Sequence, residues 1–135
     1  MKLIGNHGTL VLDRSEVGAP GTPADGDILL NITVESGGFA AADQSWITAP
    51  DWKGFLSGLR ALETRRQGAA TLIAASPEDF RLELFSTDPA GHMAVRGHVR
   101  RRTTERFELK LKFGFSFGPD ELPRVLRELE DLGRL

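Results

Sequence analysis

The sequence predicts an α+β domain, a mainly antiparallel sheet of about six to eight strands with two helices packed on one face. Three patterns predict it. Residues 27–35 and 106–117 alternate apolar with polar residues at a period of two, as half-buried strands do. Residues 52–62 place apolar side chains at i, i+3, i+4, i+7 and i+10, as an amphipathic helix does. Residues 122–132 repeat that helical spacing. A chain of 135 residues suits a single domain over 1–135.

Lys2–Ile4 and Thr9–Asp13 read as short strands around a turn at Asn6-His7-Gly8. Residues 14–26 are rich in Gly and Pro and poor in apolar residues, which predicts an exposed loop. Ile28, Leu30, Ile32 and Val34 then share one face of a strand, with Leu29, Asn31, Thr33 and Glu35 on the other. Gly37-Gly38 marks a turn, and residues 39–47 return as a strand carrying Trp46. Trp52, Phe55, Leu56, Leu59 and Leu62 form the apolar stripe of a helix over 50–67. Thr48 and Asp51 have the spacing of a capping box, with Gly68 as the expected C-terminal cap. Both tryptophans sit in apolar patterns and are expected in the core. Strands resume at 70–74 and 80–86. The terminal helix starts at Pro119 and stops at Gly133, with Arg127 placed to pair with Asp131 at i+4.

The strongest alternation is a long hairpin from Gly91 to Phe117. Met93, Val95 and Val99 share a face with Gly97. Phe107, Leu109, Leu111, Phe113, Phe115 and Phe117 are expected on the same core. The inward residues of both arms are odd-numbered, so the loop needs an odd length or a bulge. A three-residue loop at 103–105 meets that condition. It sets Arg100 opposite Glu108, His98 opposite Lys110 and Arg96 opposite Lys112.

Cysteine is absent, which removes disulfides, thiol nucleophiles and thiolate metal sites and fits a reducing compartment. The N-terminus lacks the apolar core of a signal peptide, and no stretch approaches the roughly 18 apolar residues of a membrane span. A soluble, cytoplasmic protein without a membrane partner is expected. His92 and His98 share a strand face but stand about 20 Å apart at roughly 3.3 Å per residue, too far to share an ion. Asp25-Gly26-Asp27 lacks the further oxygen ligands of a calcium loop. No G-x-S-x-G or G-x-G-x-x-G occurs, and no carboxylate pair stands in an apolar context. No catalytic, metal or cofactor site is expected, and the chain does not read as an enzyme.

Net charge is −2 but unevenly spread. Residues 13–51 carry seven acids against one base, and residues 52–118 twelve bases against seven acids. Candidate partner-binding residues come from both segments. Glu35 and Asp43 belong to the acidic one; Arg96, His98, Arg100, Lys110 and Lys112 belong to the outward face of the hairpin. That basic face could bind a protein, join two copies as a homodimer, or meet nucleic acid. It has no aromatic residue to stack on bases, and the protein is acidic overall, which argues against nucleic acid. A solvated sheet face accounts for the same charges.

The order of parts resembles the WapI-type immunity protein family, small bacterial antitoxin-like domains. Trp46 and the helix with Trp52-x-x-Phe55-Leu56-x-x-Leu59-x-x-Leu62 carry the resemblance. So do Gly91-His92-Met93-x-Val95-x-Gly97, Phe107-x-Leu109-x-Leu111-x-Phe113 and Glu121-Leu122-x-x-Val125-Leu126-x-x-Leu129. The resemblance implies a non-enzymatic protein that binds and neutralises a cognate toxin encoded beside it. It transfers no binding residues. On that reading the acidic segment faces a basic toxin and speeds association. The alternative is a binding or oligomerisation module built on the basic face.

Overall fold

A computed structural model describes residues 1–134. In chain order the strands are β1 (Lys2–Gly5), β2 (Gly8–Val17), β3 (Ile28–Ser36), β4 (Phe39–Ile47), β5 (Ala69–Ile73), β6 (Phe80–Ser86), β7 (Met93–Arg102) and β8 (Glu108–Phe117). Helix α1 (Ala49–Arg65) joins β4 to β5, and α2 (Leu122–Leu132) closes the chain. The α+β class, the antiparallel pairing and the two helices agree with the sequence patterns. The eight strands divide into two four-stranded meanders, β1-β2-β3-β4 and β5-β6-β7-β8. Each strand pairs with its sequence neighbour, and α1 carries the chain off the edge of the first sheet before the second begins.

The alternating residues of both sheets meet in one core. Leu10, Leu12, Leu30 and Ile32 from the first sheet join Leu72, Leu82, Leu84 and Phe115 from the second. Helix α1 buries Trp52, Phe55, Leu56, Leu59 and Leu62, and α2 buries Leu122, Val125 and Leu129. Each fully buried leucine is worth about 1.5–3 kcal/mol over an exposed one. Two close approaches bind the sheets together. The β1–β2 turn donates Asn6 N–H to Ser116 O at 2.8 Å. Ser36 Oγ, at the end of β3, donates to Gly114 O at 3.1 Å.

Local chemistry explains the turns. Gly37 and Gly38 both take positive φ, 59° and 86°, as a two-residue hairpin loop of matching twist requires. Thr48 caps α1, its hydroxyl accepting Asp51 N–H at 3.2 Å.

Several elements differ from the sequence reading. Strand β2 runs on to Val17, so residues 14–17 are strand; a bulge between Arg14 and Glu16 lets the pairing to β3 continue. The remaining loop, 18–27, is pinned by Gly18 N–H to Asp27 O at 2.8 Å. Asp27 Oδ1 in turn accepts Ala49 N–H at 2.9 Å, tying the loop to the start of α1. The left-handed residue that ends α1 is Arg66, at φ 57°, in place of Gly68. Its guanidinium reaches Pro119 O at 2.5 Å, an anchor that offsets a cost of about 1–2 kcal/mol for a non-glycine residue there. Pro119–Glu121 form a 3-10 turn, and α2 proper begins at Leu122. Asp131 pairs with Arg134 at 3.1 Å rather than with Arg127. Trp46 lies on the outer face of β4, opposite Leu29, and is 40% exposed. Its neighbours Ser45 and Ile47 take the inward positions.

The hairpin keeps its parity but shifts its register by one residue on each arm. The three-residue loop is Thr104–Arg106, with Arg106 left-handed at φ 69°. Thr103 sets this choice. Its N–H donates to Phe107 O at 2.9 Å, its carbonyl accepts Arg106 N–H at 2.9 Å, and its hydroxyl accepts Phe107 N–H at 3.1 Å. Arg102 therefore faces Glu108, Arg100 faces Lys110, His98 faces Lys112 and Arg96 faces Gly114. Phe107 and Leu109 are not core residues; they are 65% and 55% exposed. The pairing of β6 with β7 ends at Val99, so the hairpin tip overhangs its own sheet.

Candidate partner-binding surface

The outward face of the second sheet gathers five of the candidate residues. Across β6, β7 and β8, Glu83 stands beside Arg96 and Gly114, and Arg81 beside His98 and Lys112. Acids interleave with the bases. Arg96 pairs with Glu83 at 2.6 Å and lies 4.2 Å over the Phe85 ring. Arg100 is largely buried, its side chain 15% exposed. It meets Glu78 at 3.1 Å and Asp79 at 3.5 Å. Its Nε lies 2.8 Å from Glu108 Oε1 but off the hydrogen-bond direction, so the contact is Coulombic and the N–H has no hydrogen-bond partner among the described residues. His98 Nε2 lies 3.0 Å from Glu78 O. Among the described residues Lys110 and Lys112 make no ion pair. The cluster therefore reduces to two free lysines beside a compensated ladder.

Glu35 and Asp43 do not share a surface. Glu35 is exposed on the outer face of β3, between Thr9 and Ala40. Asp43 sits on the inner side of β4. Arg101 approaches it at 3.4 Å and donates a second bond to Ala42 O at 2.7 Å. Other acids of the segment are dispersed: Asp13 lies 3.6 Å from the N-terminal ammonium, and Asp27 holds α1. The linear charge bias is therefore divided between the two faces of the first sheet, with Glu35 outside and Asp43 inside.

A cleft missed by the sequence patterns opens between residues 39–43 of β4 and the β7–β8 hairpin. It measures about 520 Å³. Phe39, Ala41, Val99, Leu109 and Leu111 line it, and the Arg101–Asp43 pair bridges it. Phe39 is 70% exposed, so this region combines large apolar surface with fixed charge. The available signal was the run Phe39-Ala40-Ala41-Ala42, too small in side-chain volume to match the long apolar arm of the hairpin.

Elsewhere, a second cavity of about 450 Å³ lies between loop 18–27, α1 and the chain end, lined by Trp52, Lys53, Arg60 and Glu130. The Trp52 indole N–H is buried there without a partner among the described residues, closed over by Gly133. In the turn before β7, Asp88 accepts from His92 Nδ1 at 2.6 Å, and that bond holds its carboxyl below the ordinary carboxylate range. Among the described residues no three His, Asp or Glu side chains converge as a metal site. Nor is any helix there long and apolar enough to cross a membrane.

A family model described as the Immunity protein WapI-like family matches residues 2–133. No curated protein and no solved structure matches the chain.

Proposed function

The chain belongs to the WapI-like immunity protein family, and we propose that it binds and neutralises a cognate toxin, encoded beside it, by stoichiometric and non-catalytic association in the cytoplasm. The family match over nearly the whole chain carries this reading. The surface supports it. An inhibitor needs a preformed patch with a few well-packed anchors and a polar rim. The cleft beside β4 offers exposed apolar side chains in Phe39 and Leu109, and Lys110 and Lys112 lie on its hairpin wall and beyond. Arg96 and Arg100 are engaged by Glu83 and by Glu78, and His98 by the Glu78 main-chain carbonyl, so these three contribute mainly by ordering the outward face of the hairpin. Those partners also weaken the nucleic-acid alternative, since a guanidinium already matched by carboxylates has less to offer a phosphate.

The test is co-expression with the C-terminal domain of the toxin encoded next to the gene. Growth is expected to be restored, and the two chains to co-elute at equal stoichiometry. Failure of both, with each chain folded, refutes the proposal. Progressive inactivation of excess toxin by substoichiometric protein contradicts the non-catalytic part.

A further inference from the structure

Strand β8 is the last strand of its sheet, so one side of its backbone faces outward. The bond from Thr103 N–H to Phe107 O shows which residues face β7, because bonding alternates along an antiparallel pair. Odd-numbered residues of β8 bond to β7, and even-numbered ones point away. Two of the latter are already engaged: Ser116 O accepts Asn6 N–H at 2.8 Å, and Gly114 O accepts Ser36 Oγ at 3.1 Å. Among the described residues, the N–H and C=O groups of Glu108, Lys110 and Lys112 have no partner.

The edge of β4 is guarded differently. Ala42 O accepts Arg101, Gln44 N–H donates to Asp43 Oδ1 at 2.8 Å, and Trp46 O accepts Ala75 N–H at 2.8 Å. Such blocking is the usual protection of a sheet edge. Residues 108–112 lack it and border the apolar cleft.

We infer that the open edge of β8 over residues 108–112 receives an extended segment of the partner as an added strand; the partner's being the toxin rests on the function proposed above. Main-chain groups of the incoming strand bond to Glu108, Lys110 and Lys112. Its alternate side chains then fall on two faces. Those beside Leu109 and Leu111 lie toward the cleft and are apolar. Those beside Lys110 and Lys112 share the basic face and are acidic, since opposite charges in cross-strand positions attract. A second copy fits less well. The antiparallel register that pairs the whole open stretch with itself sets Glu108 against Lys112 at both ends but Lys110 against Lys110 at its centre, and it joins two faces that each carry His98 and Arg100, whereas an acidic strand meets both free lysines.

Amide hydrogen exchange tests the inference, with free protein compared to its complex with the inactivated C-terminal domain of the adjacent toxin. In free protein the amides of Glu108, Lys110 and Lys112 exchange fast, while those of Leu109, Leu111 and Phe113 are protected. In the complex the three fast amides slow by about tenfold or more, the gain of one main-chain bond each. Lys110→Pro removes an outward N–H without touching the ladder to β7 and weakens binding by about tenfold. K110E with K112E tests the charge term if the proline variant does not fold, and weakens binding with reduced salt sensitivity. A complex that leaves the three amides fast, or both variants binding like the wild type, overturns the edge assignment and leaves the immunity function standing. No complex at all refutes that function, and the strand pairing with it. A homodimer that protects the same three amides overturns the assignment in favour of self-pairing.

Discussion

Gly8 closes the β1–β2 turn directly over the Phe115 ring, and replacing it with alanine probes the junction between the sheets. A Cβ at Gly8 would lie 2.1 Å from Phe115 Cδ1 and 2.4 Å from Cγ. Carbon atoms rest about 3.5–4.0 Å apart, so ring or turn must retreat by more than 1 Å. Phe115 is only 7% exposed and has core neighbours beneath it. The turn is held in turn by Asn6 N–H on Ser116 O at 2.8 Å. Gly8 does not have positive φ, so the penalty is one of packing alone. Overpacking of this kind costs about 1–3 kcal/mol. At roughly 4 °C per kcal/mol for a domain of this size, Gly8→Ala is expected to lower the Tm by about 8 °C. Urea unfolding gives the free energy, and a cycle with Phe115→Leu isolates the contact. Shrinking the ring is expected to reduce the cost of Gly8→Ala by about 1 kcal/mol, as coupled neighbours do. A loss below about 0.5 kcal/mol, or the same loss in both backgrounds, refutes the packing account.

Arg101→Ala removes the bonds to Asp43 and Ala42 across the cleft; its side chain is 58% exposed, so urea unfolding is expected to show a loss of about 1 kcal/mol at most. A loss above about 2 kcal/mol contradicts that assignment. Thr48→Ala deletes the cap of α1 and is expected to cost about 1 kcal/mol by the same assay, a neutral result counting against the cap. The Asp88 carboxyl is held below its ordinary value, chiefly by the His92 hydrogen bond. A lowered folded-state pKa stabilises above the unfolded value near pH 3.9, and that contribution is lost as pH falls through the lower folded value. A carboxyl NMR titration is expected to place Asp88 below the ordinary aspartate value of about 3.9; an equal or higher midpoint contradicts the contact.

Much of the fold was legible because it is local. The alternation of Ile28, Leu30, Ile32 and Val34 needs only a period of two, and the stripe from Trp52 to Leu62 only a period near 3.6. Thr48 announced its cap three residues ahead of the amide it accepts. The parity of the hairpin demanded an odd loop, and the loop has three residues. Its position was harder to read. Sliding the loop by one residue on each arm preserves parity, and the choice fell to the Thr103 hydroxyl and the left-handed Arg106.

The candidate surface was less legible. Residue types predicted a basic face, but Glu78 and Asp79 reach Arg100 across a turn more than twenty positions earlier in the chain. The exposure of Phe107 and Leu109 depends on where neighbouring strands stop, and no feature of their own alternation records it.

By itself the sequence determined the order of the elements, the two helices and the apolar face of strands such as β3, since each follows from spacing along a few turns or pleats. Tertiary structure alone decided that the meanders form two sheets, that an apolar cleft separates β4 from the hairpin, and that five residues of β8 keep an open edge. Those outcomes depend on which edges and faces meet in space, and a periodic pattern specifies which side of a strand is apolar without specifying what will cover it.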